Sequence, residues 1–107
     1  MQIAELVQYK LKSGVDREEF KKFHTAFNNK TICACKGILS FSQFSHEDYF
    51  SDLMIWTDKA SLEAAQKTLE TMSVVVEGFE NKTIFDYMDF DTIKVTQMNV
   101  EKVECLE

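Results

Sequence analysis

His24 and Glu5 are the residues of this 107-residue chain whose type and position best suit acid–base chemistry. Glu5 alternates with Ile3 and Val7 in a strand-like stretch, so its carboxylate would share an apolar face and could serve as a general base. His24 follows Phe20 by four residues, at the edge of an apolar helical stripe, where an imidazole could take a proton from a phenol or quinol. Each also has a purely structural interpretation: a carboxylate that reaches solvent or a partner, and a partly exposed histidine.

Trp56, Asp52 and Tyr87 are the further candidates for contact with a ligand. Trp56 ends a predicted strand at the rim of a sheet, where its indole could stack on an aromatic substrate. Asp52 and Tyr87 are predicted on neighbouring parts of the same sheet and could orient a ligand. The alternatives are a core aromatic for Trp56 and positions in a subunit interface for Asp52 and Tyr87.

The three cysteines do not have the spacing of a metal site. Cys33 and Cys35 form a C-x-C pair, and Cys105 is far along the chain. Tetrahedral metal sites usually need two such pairs or added histidines at fixed spacing, so no metal is expected. An odd number of cysteines fits reduced thiols in the cytoplasm better than a disulfide framework.

Charge and hydropathy exclude several classes of partner. The formal net charge is −6 at pH 7, and no basic run is present. Nucleic acid and anionic membrane surfaces need clustered Lys and Arg, so neither is expected as a partner. The apolar runs are too short to span a bilayer. Gln2 and Glu5 interrupt the apolar stretch that a secretion signal would need, which also favours the cytoplasm.

Apolar periodicity predicts the elements that must position these residues. Residues 2–12 alternate as a strand, and a helix capped by Asp16 follows to about residue 30, with Phe20, Phe23 and Phe27 as its buried stripe. Residues 37–57 have the pattern of two strands joined by an acidic turn, in which His46 is expected to be solvated.

The second half of the chain begins with a helix capped by Asp58. Its apolar residues recur at steps of three and four from Leu62 to Phe79. Three consecutive valines and Gly78 weaken the helix in its second half, so a break near residues 71–74 stays open. A fourth strand is predicted for residues 83–90, and residues 92–100 form a further strand-like run.

This order of elements predicts an α+β, ferredoxin-like sandwich (βαββαβ). Right-handed crossovers give a four-stranded antiparallel sheet with two helices on one face. The bare face of the sheet would be covered by a second copy, so a homodimer is expected. The domain is predicted to span residues 1–91, with residues 92–107 as a C-terminal extension that adds a strand at the dimer interface.

The hairpin and the helix after it resemble a known family. The segments KGILSFSQF and SDLMIWTDKASLEAA are similar to the centre of the antibiotic-biosynthesis monooxygenase group of dimeric α/β-barrel proteins. The helix DREEFKKFHTAF also looks like the first helix of that group, and the resemblance covers about residues 2–90. The residues that carry the hairpin resemblance are Gly37, Phe41, Trp56, Asp58, Leu62 and Glu63.

The resemblance implies a homodimer that forms an α/β barrel and binds a flat aromatic or quinol-like substrate between sheet and helices. Phe23 and Phe27 of the first helix would then line the substrate site. Several enzymes of the group use molecular oxygen without a cofactor. A related branch degrades haem with a first-strand asparagine, the tryptophan and a histidine on the second helix. This chain keeps only the tryptophan, so haem degradation is not expected.

Two functions remain open from the sequence. The first is a cofactor-independent monooxygenase acting on a small aromatic or quinol-like substrate, with His24 as its base. The second is a non-catalytic module of the same fold that binds a small apolar ligand or simply dimerises. Cofactors are expected in neither case.

Overall fold

The computed structural model describes residues 1–103, which form four strands and two helices. Two short 3₁₀ turns, Ile32–Ala34 and Ile84–Asp86, connect them. The strands are β1 (Ile3–Leu11), β2 (Ile38–Ser45), β3 (Phe50–Trp56) and β4 (Met88–Asn99), and the helices are α1 (Arg17–Lys30) and α2 (Lys59–Thr71). No helix of residues 1–103 is both long and apolar enough to cross a membrane.

The strands make one antiparallel sheet in the order β2-β3-β1-β4. Val7 of β1 is opposite Asp52 of β3, and Asp52 is opposite Gln43 of β2, so these side chains share a face. Both helices pack on that face, which confirms the predicted ferredoxin-like α+β sandwich.

The two helices begin where the sequence supplies a capping side chain. Asp16 accepts hydrogen bonds from the backbone N–H groups of Glu18 and Glu19 at the start of α1. Asp58 accepts one from Ser61 at 2.7 Å at the start of α2. This bond to a backbone donor lowers the pKa of the Asp58 carboxyl, as expected for a charged cap at the positive end of a helix dipole.

The core consists of two clusters under the helices. The cluster under α1 is mainly aromatic, and α2 covers a smaller one that contains the only tryptophan. The α1 cluster comprises Tyr9, Phe20, Phe23, Phe50, Val76, Tyr87 and Met88; the α2 cluster comprises Ile3, Met54, Trp56, Leu62 and Ala65.

The helix that carries the apolar seam ends at Thr71, which agrees with the break considered near residues 71–74, because the valines at 74–76 lose side-chain rotamer freedom in a helix. The part of the seam beyond Thr71 is not helical. Val76 instead packs into the α1 cluster from an extended segment.

Residues 83–87 do not form the predicted strand. Thr83 and Asp86 cap each other in a 3₁₀ turn, and β4 begins at Met88. Residues 92–99 continue β4 and pair with β1 of the same chain, so the predicted domain boundary at residue 91 falls within a strand. Residues 104–107, including Cys105, lie outside the described residues, and pairing of the tail with a partner's sheet stays a prediction.

Candidate active site

His24 and Asp52 form a buried pair where α1 crosses the sheet. His24 Nε2 lies 2.8 Å from Asp52 Oδ2, and the two side chains are only 3% and 10% exposed. α1 directs His24 inward because it follows Phe20 by one helical turn on the buried stripe. Asp52 points to the same face because it alternates with Phe50 and Met54 along β3.

Two amide side chains determine which nitrogen of His24 carries the proton. Nδ1 of His24 lies 3.0 Å from Asn28 Nδ2 and 3.2 Å from Gln43 Nε2. The Asn28 amide nitrogen also donates to the carbonyl oxygen of His24, which assigns its orientation as a donor. Nδ1 therefore accepts, and the proton of a neutral His24 is on Nε2, where it donates to Asp52.

Tyr9 completes the network from β1. Its hydroxyl donates to Asp52 Oδ1 at 3.0 Å and accepts from Gln43 Nε2 at 3.3 Å. Burial, and then the adjacent Asp52 carboxylate, raise the pKa of Tyr9 far above its ordinary value. Tyr9 is therefore a permanent donor to Asp52 over the physiological pH range, and it does not compete with His24 as a base.

A cleft of about 230 Å³ opens onto this network between α1 and β2. His24, Asn28 and Gln43 line it together with Phe41, whose ring centroid lies 5.6 Å from that of His24. Thr25, Asn29 and the exposed Cys33 complete the lining. The imidazole is thus at the floor of a part-polar, part-aromatic cleft, with its acceptor nitrogen held between two groups of the cleft wall.

This arrangement can support general acid–base chemistry. Asp52 holds the ring, fixes its tautomer and can stabilise the imidazolium that forms when Nδ1 takes up a proton. The same division of roles is found in Asp–His pairs of hydrolytic enzymes. Gln43 and Asn28 could donate to an oxygen that gains negative charge near Nδ1.

The other residues predicted for the site are placed elsewhere. Glu5 is buried between α2 and β4, where its Oε2 accepts from the amides of Gln66 at 3.4 Å and Gln97 at 3.1 Å. Trp56, Phe23 and Tyr87 are at most 2% exposed and belong to the two core clusters.

Phe27 is half-buried and stacks on Phe23, and it borders a separate chamber beside α2. Trp56 Nε1 is a buried donor without a hydrogen-bond partner in residues 1–103. Of the seven residues predicted for the site, only His24 and Asp52 belong to the buried polar network, whereas Phe23, Phe27 and Tyr87 contact one another in the aromatic core.

Tyr9, Asn28 and Gln43 are the members of the network that the sequence analysis missed. Signals for them were present: Asn28 is four residues after His24 on the same helical face, and Gln43 shares its strand face with Phe41. Tyr9 alternates with Glu5 and Val7 along β1, but its partner Asp52 is 43 residues away in sequence, so no local pattern pairs them.

Solved structures of other proteins share the fold of this chain. No protein-family model and no curated protein sequence matches the chain. Among solved structures, it is similar to SnoaB, a cofactor-independent oxygenase from Streptomyces nogalater, with 9% identity, a TM-score of 0.68 and 95% of each chain covered. A DABB family protein with a ferredoxin-like fold from Mesorhizobium loti is 16% identical, with a TM-score of 0.66 over 94% of this chain and 98% of that one.

A putative antibiotic-biosynthesis monooxygenase from Bacillus cereus is 14% identical, with a TM-score of 0.57 and 98% of each chain covered. Identities this low establish a shared fold and nothing finer. The resemblance to antibiotic-biosynthesis monooxygenases is thereby confirmed at the level of the fold.

Proposed function

We propose that the protein is a cofactor-independent monooxygenase whose base is His24, acting on a small aromatic or quinol-like substrate in the cleft between α1 and β2. The observation that carries the proposal is the buried Asp52–His24 pair with its acceptor nitrogen at the cleft floor. The shared fold with SnoaB, itself a cofactor-independent oxygenase, is consistent with this reaction class.

The first step is removal of a proton by Nδ1 of His24. Gln43 makes the longer of the two amide contacts to this nitrogen, at 3.2 Å, so its amide is the one that the substrate displaces. The displaced amide can then donate to the substrate oxygen and stabilise the charge that develops on it. Asp52 stabilises the imidazolium, and Tyr9 holds Asp52 in place.

The second step uses the electrons of the substrate anion. For an anthrone-type substrate, the carbanion passes an electron to O₂, and the resulting radical pair combines as a peroxide. The proton on His24 is transferred to the peroxide, which loses water to leave a new carbonyl. One oxygen atom enters the product and the other leaves as water, and the substrate CH₂ group supplies all four electrons.

The size of the cleft limits the substrate. At about 230 Å³ it is smaller than the roughly 300–1,000 Å³ of sites that hold drug-sized ligands. Phe41 offers one aromatic surface for stacking. We therefore expect a substrate of few rings that carries a hydroxyl or carbonyl near the acidic carbon.

A non-catalytic ligand-binding module is the second candidate, and one observation favours it. His24 is 3% exposed, and both its ring nitrogens already have partners, which also describes a satisfied core histidine. In that case the cleft binds an aromatic ligand, and substitution of His24 leaves its affinity unchanged.

Oxygen consumption by chelator-treated protein with anthrone and quinol substrates tests the proposal. We expect His24→Gln and Asp52→Asn each to lower kcat by about 10²-fold or more, because general-base catalysis contributes about 10²–10⁴-fold. His46→Gln is the matched control, since His46 is exposed in the β2–β3 turn and stacks only on Tyr49.

The oxygenase and the non-catalytic binding module predict different results in this experiment. Oxygen uptake by the native protein that is no faster than in buffer with every substrate would rule out the oxygenase. Ligand binding that persists in a folded His24→Gln variant, with no turnover in either protein, would support the binding module.

We also propose that the protein is a homodimer that pairs through the helix-free face of the sheet. That face carries Leu6, Leu53 and Ile55 on the central strands, and the exposed Phe44 and Met98 on the outer ones. Ile55 and Met98 both pair with Ala4, and Leu53 pairs with Leu6 in the next row, so the centre of this face is an apolar patch of the kind that a subunit interface covers.

A further inference from the structure

A second cleft lies between α2 and the 3₁₀ turn that follows α1, away from His24. Its volume is about 260 Å³, and its walls are mostly small or apolar side chains, including Ala34, Cys35, Ala64 and Ala65. The small side chains leave an open trough between two helical segments that would otherwise be packed.

A deeper chamber of about 110 Å³ adjoins this cleft. Thr31 and Met72 border both spaces, and Phe27, Ile32 and Leu69 make the chamber apolar. Met72 is 41% exposed, and an unbranched thioether can change rotamer at little cost. Together the cleft and the chamber make a trough with a narrow apolar end. This shape suits an alkyl chain better than a flat ring.

The hydroxyl and thiol groups of the cleft wall already have partners within the protein. The Thr31 hydroxyl donates to the carbonyl of Phe27 at 2.8 Å, and the Thr68 hydroxyl donates to that of Ala64 at 3.1 Å. The Cys35 thiol donates to the carbonyl of Thr31, and burial raises its pKa, so it stays neutral. A ligand would therefore meet an apolar wall in which no hydroxyl or thiol needs a partner.

Lys36 is the charged residue of the lining within residues 1–103. Its ammonium makes no hydrogen bond or ion pair with another described residue, and no Asp or Glu of residues 1–103 lines either space. A cation that lines an apolar trough and has no partner in residues 1–103 is complementary to an anionic head group on an apolar tail.

We propose that this trough binds an amphiphilic carboxylate, with its alkyl chain between α2 and the 3₁₀ turn and its carboxylate at Lys36. This site is separate from the proposed function, because it uses neither His24 nor the cleft that His24 lines. The ligand we propose is a straight-chain fatty acid of medium length, for which the two adjoining spaces supply room.

Titration with hexanoate, octanoate and decanoate below their micelle concentrations tests the proposal. Trp56 is the only tryptophan, and it packs in one cluster with Ala65 of the trough wall, so its fluorescence reports occupancy. We expect affinity to rise roughly fourfold per added methylene, since each buried CH₂ contributes about 0.8 kcal/mol. Decan-1-ol should bind at least fivefold more weakly than decanoate.

Two variants separate the tail from the head group. Ala64→Trp fills the trough from an exposed helix position and should abolish binding of all three acids, whereas Ala60→Trp on the same helix should not. Lys36→Glu should lower the affinity for decanoate at least tenfold and leave the affinity for decan-1-ol unchanged. Lys67→Glu is the charge control.

Several results would overturn the proposal. These are absence of binding, affinity independent of chain length, equal affinity for decanoate and decan-1-ol, or binding retained in Ala64→Trp. Binding of decanoate by His24→Gln should equal that of the native protein, so the result is independent of whether the oxygenase proposal succeeds.

Discussion

Tyr9 is the residue that links the strand face to the His24–Asp52 pair. Its hydroxyl gives Asp52 a second donor beside His24, so each carboxylate oxygen has one partner. A buried carboxylate with both oxygens hydrogen-bonded leaves no polar atom unsatisfied, and the bond to Oδ2 of Asp52 holds the Nε2 proton of His24 in place.

Tyr9→Phe is expected to lower the free energy of unfolding by about 1–3 kcal/mol at pH 7, because a buried acceptor loses a charge-assisted hydrogen bond. It should also change the response to alkali. The pKa of Tyr9 is raised in the folded protein, so its contribution is present below about pH 10, where an unfolded tyrosine titrates, and is lost as the pH rises above that value.

Chemical denaturation between pH 7 and 11 measures this effect. Above pH 10, titration of Tyr9 should lower the free energy of unfolding of the native protein by up to about 1.4 kcal/mol per pH unit. The Tyr9→Phe variant should lack that contribution. Tyr49→Phe is the control, since Tyr49 is 36% exposed at the hairpin turn. Parallel alkaline slopes for native protein and Tyr9→Phe would contradict the assignment.

At the scale of elements, the start of β2 is held against the start of α2 by Gly37. Its φ is +93°, and its carbonyl accepts from the backbone N–H of Thr57 at 2.8 Å. A Cβ at this position would lie 2.5 Å from both Cβ and Oγ of Ser61. The glycine that carries the family resemblance is therefore required by close packing as well as by its backbone conformation.

Gly37→Ala is expected to lower the free energy of unfolding by about 2–5 kcal/mol, as strain from the left-handed backbone adds to overpacking. Gly14→Ala is the matched control, because Gly14 has a φ of +82° and its Cβ would meet nothing within 4 Å. Thermal or denaturant unfolding measures both. Equal losses for the two variants would show that the contact with Ser61 relaxes freely.

Element predictions succeeded where the pattern was long and regular. The alternation of β1 and the stripe of α1 each bury one continuous face, and both elements lie within a residue or two of their predicted bounds. The start of β4 was misplaced, and the apolar seam continues past the end of α2 without a helix, because Val76 and Tyr87 are apolar residues of irregular segments. Tertiary packing, and not local periodicity, buries them.

At the scale of the whole molecule, the helix-free face of the sheet is the surface through which we propose that the protein dimerises. Leu6 and Leu53 are opposite each other at its centre, and Phe44 is 56% exposed. A stable interface usually buries about 800 Å² per partner, which the area of a four-stranded sheet can provide.

Leu53→Lys is expected to convert a dimer into a folded monomer, because the charge enters the proposed interface but is solvated in a single chain. Sedimentation velocity at micromolar concentration measures the change, and circular dichroism verifies the fold. Val75→Lys is the control, since Val75 is exposed on the segment after α2. A native protein that sediments as a monomer would contradict the prediction.

The sequence by itself determined the order of the elements, the ferredoxin-like fold, the position of His24 at the edge of the apolar stripe of α1, and Gly37 at the start of the hairpin. These follow from periodicity and from the backbone preferences of single residues, which act locally. Only the tertiary structure decided that His24, Asp52, Tyr9 and Gln43 share one network, and that Glu5 and Trp56 lie outside it. Contacts between distant segments depend on strand register and helix placement, and a one-residue shift in register would direct Asp52 to the opposite face of the sheet.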